Sequence, residues 1–241
     1  MKVAVVGLGK MGREVEAALG ERGHQPVLVG KGSPFPSDCP VGIDFTRAEA
    51  VLGNLRAALA AGSRYVVGTT GWGAQIEEVR AAVTEARGGF VYAANFSLGV
   101  NLFYRIVRQA AGLLARFPEY DPYILERHHR QKKDAPSGTA KALAVIVEKA
   151  GGPRTQATST LEDALPADRF HVAAVRAGGI VGDHTVGFDS GTDEITLEHR
   201  ARTRRGFALG AVLAAEWIAT RTGCFGFEEV LEDLTRTPGA R

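Results

Sequence analysis

In the N-terminal part of the chain, short apolar runs alternate with longer stretches in which apolar residues recur every three or four positions. The runs are Lys2–Val6, Gln25–Gly30, Ile43–Thr46, Tyr65–Gly68 and Phe90–Ala94. Between them, Arg13–Arg22, Ala48–Ala61 and Ala74–Arg87 carry helical spacing. Compact apolar runs with little polar alternation predict strands buried on both faces. Their alternation with helices predicts a parallel sheet covered on both sides.

Near Ser97 the pattern changes. Gly99–Arg116 has the spacing of a long helix, Tyr123–His129 reads as a strand, and Ser137–Ala150 reads as a helix capped by Ser137. Phe170–Arg176, His184–Phe188 and Glu194–His199 follow as strands separated by glycine-rich turns, which suits an antiparallel or mixed sheet. A long helix over Phe207–Arg221 and a short one near Phe227–Leu234 close the chain. The polar tail, Thr235–Arg241, is expected to fray.

Composition narrows the classes. The 241 residues suffice for one large domain or two modest ones, and 45% hydrophobic with 23% charged residues is ordinary for a globular protein. The balance of 29 basic against 27 acidic side chains gives +2, so bulk charge makes no case for nucleic acid or a membrane surface as partner. Arg127–Lys133 and Arg200–Arg205 are local basic clusters that suit a small anion. Two distant cysteines, Cys39 and Cys224, offer neither a disulfide framework nor metal spacing, and the simplest setting is a reducing cytoplasm. No apolar run approaches membrane-spanning length, and Met1–Gly9 is too short an apolar run for a signal peptide.

Gly7-Leu8-Gly9-Lys10-Met11-Gly12 follows a predicted strand and precedes a predicted helix, the context that gives G-x-G-x-x-G its meaning. Gly7 permits the tight turn, Gly9 lets the backbone approach a pyrophosphate, and Gly12 lets helix and strand pack closely. The expected fold is therefore α/β. A Rossmann-type doubly wound parallel sheet over 1–97 is completed by 208–241, and a second α+β, mixed-sheet domain over 98–207 serves substrate binding and oligomerisation. The second strand ends in Val29-Gly30-Lys31-Gly32-Ser33 with no acid for a ribose hydroxyl. Lys31, with Lys10 or Arg13, can instead meet a 2′-phosphate, so NADPH is favoured while NADH remains usable. Gly68-Thr69-Thr70 and Ala93-Ala94-Asn95-Phe96 close two further predicted strands, where ligands bind in open parallel sheets.

The densest chemistry lies in Glu126–Ala140, E-R-H-H-R-Q-K-K-D-A-P-S-G-T-A. Imidazole is the side chain most readily tuned to move a proton near neutral pH, lysines nearby supply positive charge, and a helix start offers free amides to a carboxylate. On a strand, His128 and His129 point to opposite faces unless the strand ends there, and adjacency is not a metal-ligand spacing. His184 and His199 read as structural.

Those residues closely resemble the 4-hydroxy-tetrahydrodipicolinate reductases (dihydrodipicolinate reductases) of bacterial lysine and diaminopimelate synthesis. The resemblance is carried by Gly7–Gly12, Asp44-Phe45-Thr46, Gly68–Gly71, Ala94–Ser97 with Gly99-Val100-Asn101, and Glu126–Ala140. Arg176–His184 and Glu194–His199 extend it over nearly the whole chain. It implies NAD(P)H-dependent reduction of a cyclic imine dicarboxylate with loss of water. His128 is then proton donor and acceptor, and Lys132 the second proton donor. His129, Gly138 and Thr139 are implied to bind substrate, and no metal. Gly7–Gly12, Gly68–Thr70 and Ala93–Phe96 would line the cofactor. A homotetramer is also implied. The connection from Gly30 to Ile43 is shorter than the resemblance suggests. Another dehydrogenase on the same plan would need a different acid/base set, and a dinucleotide-sensing binding protein would need a recognition helix or basic face.

Overall fold

The structure, a computed structural model, describes residues 1–236. Its elements run β1 (Lys2–Val6), α1 (Lys10–Glu21), β2 (Gln25–Val29), β3 (Val41–Asp44), α2 (Ala48–Ala60), β4 (Arg64–Val67), α3 (Ile76–Glu85) and β5 (Gly89–Tyr92). Next come α4 (Leu98–Leu114), β6 (Asp121–His128), α5 (Gly138–Ala150), β7 (Gln156–Thr158), β8 (Arg169–Arg176), β9 (Asp183–Asp189) and β10 (Glu194–Arg200). The last are α6 (Arg205–Ile218), β11 (Gly223–Gly226) and α7 (Phe227–Thr235). Of the tail expected to fray, Thr235 ends α7 and 237–241 lie outside the described residues.

The chain divides into two compact units, Met1–Leu98 with the residues from Arg204 on, and Gly99–Thr203. The first is built on a six-stranded sheet in the order β11-β5-β4-β3-β1-β2, with every pairing parallel. From β1 the chain moves to β2 on one side and then to β3 on the other. The order therefore reverses between β1 and β3, where open α/β sheets leave a crevice at the carboxyl ends of their strands. One sheet face is closed by α1, α6 and α7, whose Val15, Leu19, Ala211, Ala215 and Val230 pack with Val3, Val5 and Ile43. The other is closed by α2 and α3 through Val51, Leu55, Val79 and Val83.

Several details depart from the periodicity, among them the third strand, expected over Ile43–Thr46 and found over Val41–Asp44. The first helix begins at Lys10 rather than Arg13, because extended Gly9 is its N-cap. The glycine turn thus delivers the chain directly into a helical first turn. Two short strands, β7 and β11, carry no periodic signal and were not anticipated; both are sheet edges.

The second unit has a five-stranded mixed sheet, β10-β9-β6-β8-β7. The pairs β6–β8 and β7–β8 are parallel, whereas β6–β9 and β9–β10 are antiparallel. Strand β6 alternates strictly, with Pro122, Ile124, Glu126 and His128 buried and the residues between them half-buried. Ile124, with Val172 and Val186 of the neighbouring strands, packs against Phe103 and Val107 of α4 and Leu143 and Val147 of α5. The helix-covered face is thus apolar at one end of β6 and turns polar at Glu126 and His128.

A glycine sets the close approach of α6 to the segment that follows β5. A Cβ on Gly210 would lie 1.7 Å from the carbonyl oxygen of Phe96. At an open helix position Gly→Ala gains up to about 1 kcal/mol. Here the added methyl meets backbone that cannot yield, so Gly210→Ala is expected to destabilise by roughly 1–3 kcal/mol or more, read by urea unfolding.

Candidate active site

Sheet register gathers the reactive groups in the second unit. Glu126 and His128 are two apart on β6 and share a face. His184 of β9 stands directly opposite Glu126, and Arg176 of β8 directly opposite His128. Directly opposed residues project to one side of a sheet, so all four converge at its polar end.

At the centre is the fully buried Glu126 carboxylate. Its Oε2 is hydrogen-bonded to His128 Nδ1. Its Oε1 accepts from Arg176 at 2.7 Å and from the backbone N–H of Ser137 at 3.1 Å. Burial alone raises a carboxyl group, but the bonds from Arg176, His128 and Ser137 outweigh it and hold Glu126 below the ordinary range. An ionised carboxylate only accepts, so Nδ1 of His128 carries the hydrogen and Nε2 bears the lone pair. Burial pushes His128 down, and Lys132 and Arg176 add to this, while Glu126 opposes. The ring sits tightly, since a Cβ on Gly182 would come 2.9 Å from Nε2.

The same carboxylate organises the loop after β6. The guanidinium group that meets Glu126 also donates to the backbone oxygen of Asp134, 2.6 Å away. Asp134 in turn holds Lys132 Nζ, at 2.8 and 3.0 Å from its two oxygens. Ser137 caps α5 by accepting from the amide of Ala140, and its hydroxyl is hydrogen-bonded to His184 Nε2 at 3.1 Å. Gly138 and Thr139 begin the helix, where amides lack intrahelical acceptors, and Gly138 has open space beside it. Burial pushes the Tyr104 hydroxyl of α4 up, and the Thr139 side chain opposes this.

His129 lies just beyond the end of β6, half-buried, with its Nδ1 buried and unpartnered. The end of the strand thus frees the two histidines from strict opposition. Lys132 is half-buried beside the site, whereas Lys133 is exposed. Sequence reasoning gave no role to Glu126, Arg176 or Gly182 and took His184 as structural. The Glu-x-His spacing on a strand was the available signal for Glu126. Nothing local pointed to Arg176 or His184, which arrive through long-range pairing.

Glu126, His128 and His184 place potential metal-ligand atoms within 4.8 Å of one another. The donor set suits a cation poorly, because the carboxylate already faces the Arg176 guanidinium and the helix-start amide.

In the first unit, the residues expected at a dinucleotide all lie at the carboxyl edge of the sheet, after β1, β2, β4 and β5. Gly7 has φ +96°, and its would-be Cβ meets Thr46 and Phe45. A Cβ on Gly12 would lie 1.9 Å from the Gly7 carbonyl oxygen, while nothing lies within 4 Å of one on Gly9. That opening, beside an α1 start with no side-chain cap, fits a pyrophosphate. Leu8, Lys10, Lys31, Thr70 and Ala94 are exposed, whereas Met11 packs partly against the core. Gly68 leaves room for the Phe45 ring, and Ala93 and Asn95 are half-buried. Thr69 is buried and donates to Asp44 at 3.4 Å. The Phe96 side chain is 1% exposed and packs against Phe45 and Phe227, so only its backbone is left for a ligand.

A Rossmann-like unit joined in one chain to a mixed-sheet unit with a buried histidine–carboxylate pair is the plan of an oxidoreductase. The family description "Dihydrodipicolinate reductase, N-terminus" matches residues 27–96, and "Dihydrodipicolinate reductase, C-terminus" matches 99–231. A 4-hydroxy-tetrahydrodipicolinate reductase of Christiangramia forsetii is 35% identical, covering 97% of this chain and 99% of its own. One of Methanoculleus marisnigri is 42% identical over 78% of this chain and 74% of its own. The solved dipicolinate-bound dihydrodipicolinate reductase of Paenisporosarcina sp. TG-14 superposes with a TM-score of 0.75 at 24% identity, covering 95% of this chain and 98% of that one. An amine dehydrogenase from Mycobacterium smegmatis shares the fold alone, with a TM-score of 0.57 at 11% identity over 95% of each chain. The chain belongs to the dihydrodipicolinate reductase family.

His184 gives the site a pH signature. Burial first, then the neighbouring His128, His199 and Lys132, push it down from 6.5 to about 4 against the opposing charge of Glu126. Between those values the unfolded chain binds a proton that the folded one refuses. Stability is therefore unaffected by His184 above about pH 6.5, falls as pH drops towards about 4, and falls no further below it. The loss amounts to about 3 kcal/mol. Urea unfolding of wild type and His184→Asn at about pH 7 and about pH 4 is expected to show the difference between pH values shrinking by that amount in the variant.

Proposed function

We propose that this chain reduces 4-hydroxy-tetrahydrodipicolinate to tetrahydrodipicolinate with loss of water, using His128 and Lys132 as proton donors and preferring NADPH to NADH. The observation that carries the reading is the His128 imidazole. It is anchored through Nδ1 to a buried carboxylate, beside a lysine and the start of α5.

The substrate is a doubly charged heterocycle, and the solved Paenisporosarcina relative was crystallised with dipicolinate, a planar analogue of that class. The amides of Gly138 and Thr139 suit one carboxylate, and His129 is placed for a further polar contact. The reduced nicotinamide, when bound, supplies hydride to the ring. The chain's own residues provide the complementary proton. His128 is neutral in the free enzyme near neutral pH, because its folded pKa lies below 6.5. A dianion beside it raises its affinity for a proton, so binding itself turns Nε2 from acceptor into donor. Lys132 reaches substrate by exchanging the Asp134 carboxylate for that of the ligand. A positioned acid contributes about 10²–10⁴-fold in rate.

Gly7–Gly12 and the first turn of α1 suit the cofactor pyrophosphate, with Lys31 beside the second strand for a 2′-phosphate. A cytoplasmic homotetramer completes the reading. Among the described residues, no helix is long and apolar enough to cross a membrane.

His128→Gln is expected to lower turnover by about 10²–10⁴-fold while NADPH affinity, followed by fluorescence titration, stays within about twofold. Unchanged turnover would remove His128 from the chemistry. In wild type, kcat/KM is expected to fall as pH rises through a value below 6.5, the folded range of His128, with the corresponding limb of kcat at higher pH. Lys31→Ala is expected to weaken NADPH by about tenfold and leave NADH unchanged. Equal effects on the two cofactors would sink the 2′-phosphate assignment.

A further inference from the structure

We infer that Glu126 is a positioning residue for the reaction, holding the His128 imidazole in a single tautomer and orientation with Nε2 turned towards the substrate. The inference rests on the reading of His128 as proton donor and goes beyond it by naming what makes that donor competent.

The geometry separates this role from mere structural pairing. The two oxygens of Glu126 do different work. Oε1 takes Arg176 and the Ser137 amide, which pairs the guanidinium charge and fixes the start of α5. Oε2 is given to His128 Nδ1. A carboxylate needed only to neutralise Arg176 has no reason to place its second oxygen on the histidine. The histidine, without that bond, would be a buried ring with two nitrogens of comparable standing. With it, a tautomer switch would leave an Nδ1 lone pair facing a carboxylate in a dry site, a repulsive arrangement.

Arg176 acts one step further out. It ties Oε1 to the backbone of Asp134, so the carboxylate cannot swing away from the ring without releasing the loop that carries Lys132. The charged and titratable groups facing the His128 ring come from four elements: Glu126 on its own strand, Lys132 on the following loop, Arg176 on β8 and His184 on β9. Glu126 is the negative member of that set. It alone among these groups favours a proton on the ring, while burial, Lys132, Arg176 and a protonated His184 all oppose one. Orientation and proton affinity therefore depend on the same oxygen atom.

The test compares wild type, Glu126→Gln, His128→Gln and the double variant, all as full-length protein. Glu126→Gln is expected to lower kcat by roughly 10²-fold and to move the limb on which activity falls with rising pH to lower pH, since the charge that favours the protonated ring is gone. NADPH affinity is expected to be unchanged. In the His128→Gln background, Glu126→Gln is expected to cost nothing further, because it acts through the ring. Histidine ¹⁵N shifts of the wild-type protein, assigned by comparison with His128→Gln, are expected to show Nδ1–H and an unprotonated Nε2 at neutral pH. That measurement needs no Glu126 variant and stands even if Glu126→Gln does not fold. The inference is overturned by an Nε2–H tautomer, by multiplicative losses in the double variant, or by an unshifted pH profile in Glu126→Gln. Full activity in His128→Gln would overturn the donor reading and this inference together. Loss in His128→Gln with independent loss from Glu126→Gln overturns the inference alone.

Discussion

A single charge in a dry place constrains the second unit. Glu126 projects from the helix-covered face of β6, where the neighbouring inward positions of the strand are Ile124 and His128. An ionised carboxylate there is tolerable only if donors replace the water it has lost. The donors come from three directions: the strand itself, the end of β8, and the N-terminus of α5. Each satisfies the carboxylate and is in turn fixed by it. The loop between β6 and α5 is held at the Arg176–Asp134 contact and at the Ser137 cap, so Lys132, Gly138 and Thr139 are placed by the same charge that orients His128.

The first unit uses the same device without a cation. Asp44, fully buried at the carboxyl end of β3, accepts from the Thr46 amide and hydroxyl at 2.7 and 2.6 Å. It also accepts from Asn54 and Tyr65, both at 3.0 Å, and from Thr69. Neutral donors from four segments thus stabilise one negative charge, and the loops after β3 and β4 are tied to it. Thr46 and Phe45 then form the wall against which Gly7 and Gly68 must have no side chain. The glycine turn is therefore shaped from both sides, by its own sequence and by a loop whose position Asp44 sets. In each unit, loop geometry at the working edge of a sheet follows from satisfying a carboxylate that the sheet has buried.

Much of this was legible in the chain. The alternation of compact apolar runs with helical spacing identified the parallel sheet, because a doubly covered strand needs apolar residues on both faces. Gly7, Gly9 and Gly12 announced a turn with special backbone demands. Ser137 announced a helix start, and the structure has its hydroxyl on the Ala140 amide. The histidine-and-lysine segment stood out because a packed core has no use for that set of groups. The start of α1 was placed too late, since glycines obscure helical periodicity. The strands β7 and β11 were invisible because three or four residues with no apolar alternation give no pattern to read.

Sequence alone determined what each segment does locally: its period, its caps, its turns, and the presence of a proton-moving side chain near positive charge. It also carried the family resemblance, because those local features recur at fixed spacings. Tertiary structure decided which distant residues meet. That Arg176 lies beside His128 and His184 beside Glu126 is a matter of strand order and register. Register is settled by the packing of whole strands against α4 and α5, an energy summed over residues far apart in the chain. The state of His128 was decided in the same way. Its burial, the nitrogen that carries its hydrogen and the direction of its pKa arise from neighbours brought by that pairing, and an imidazole read from sequence has none of them.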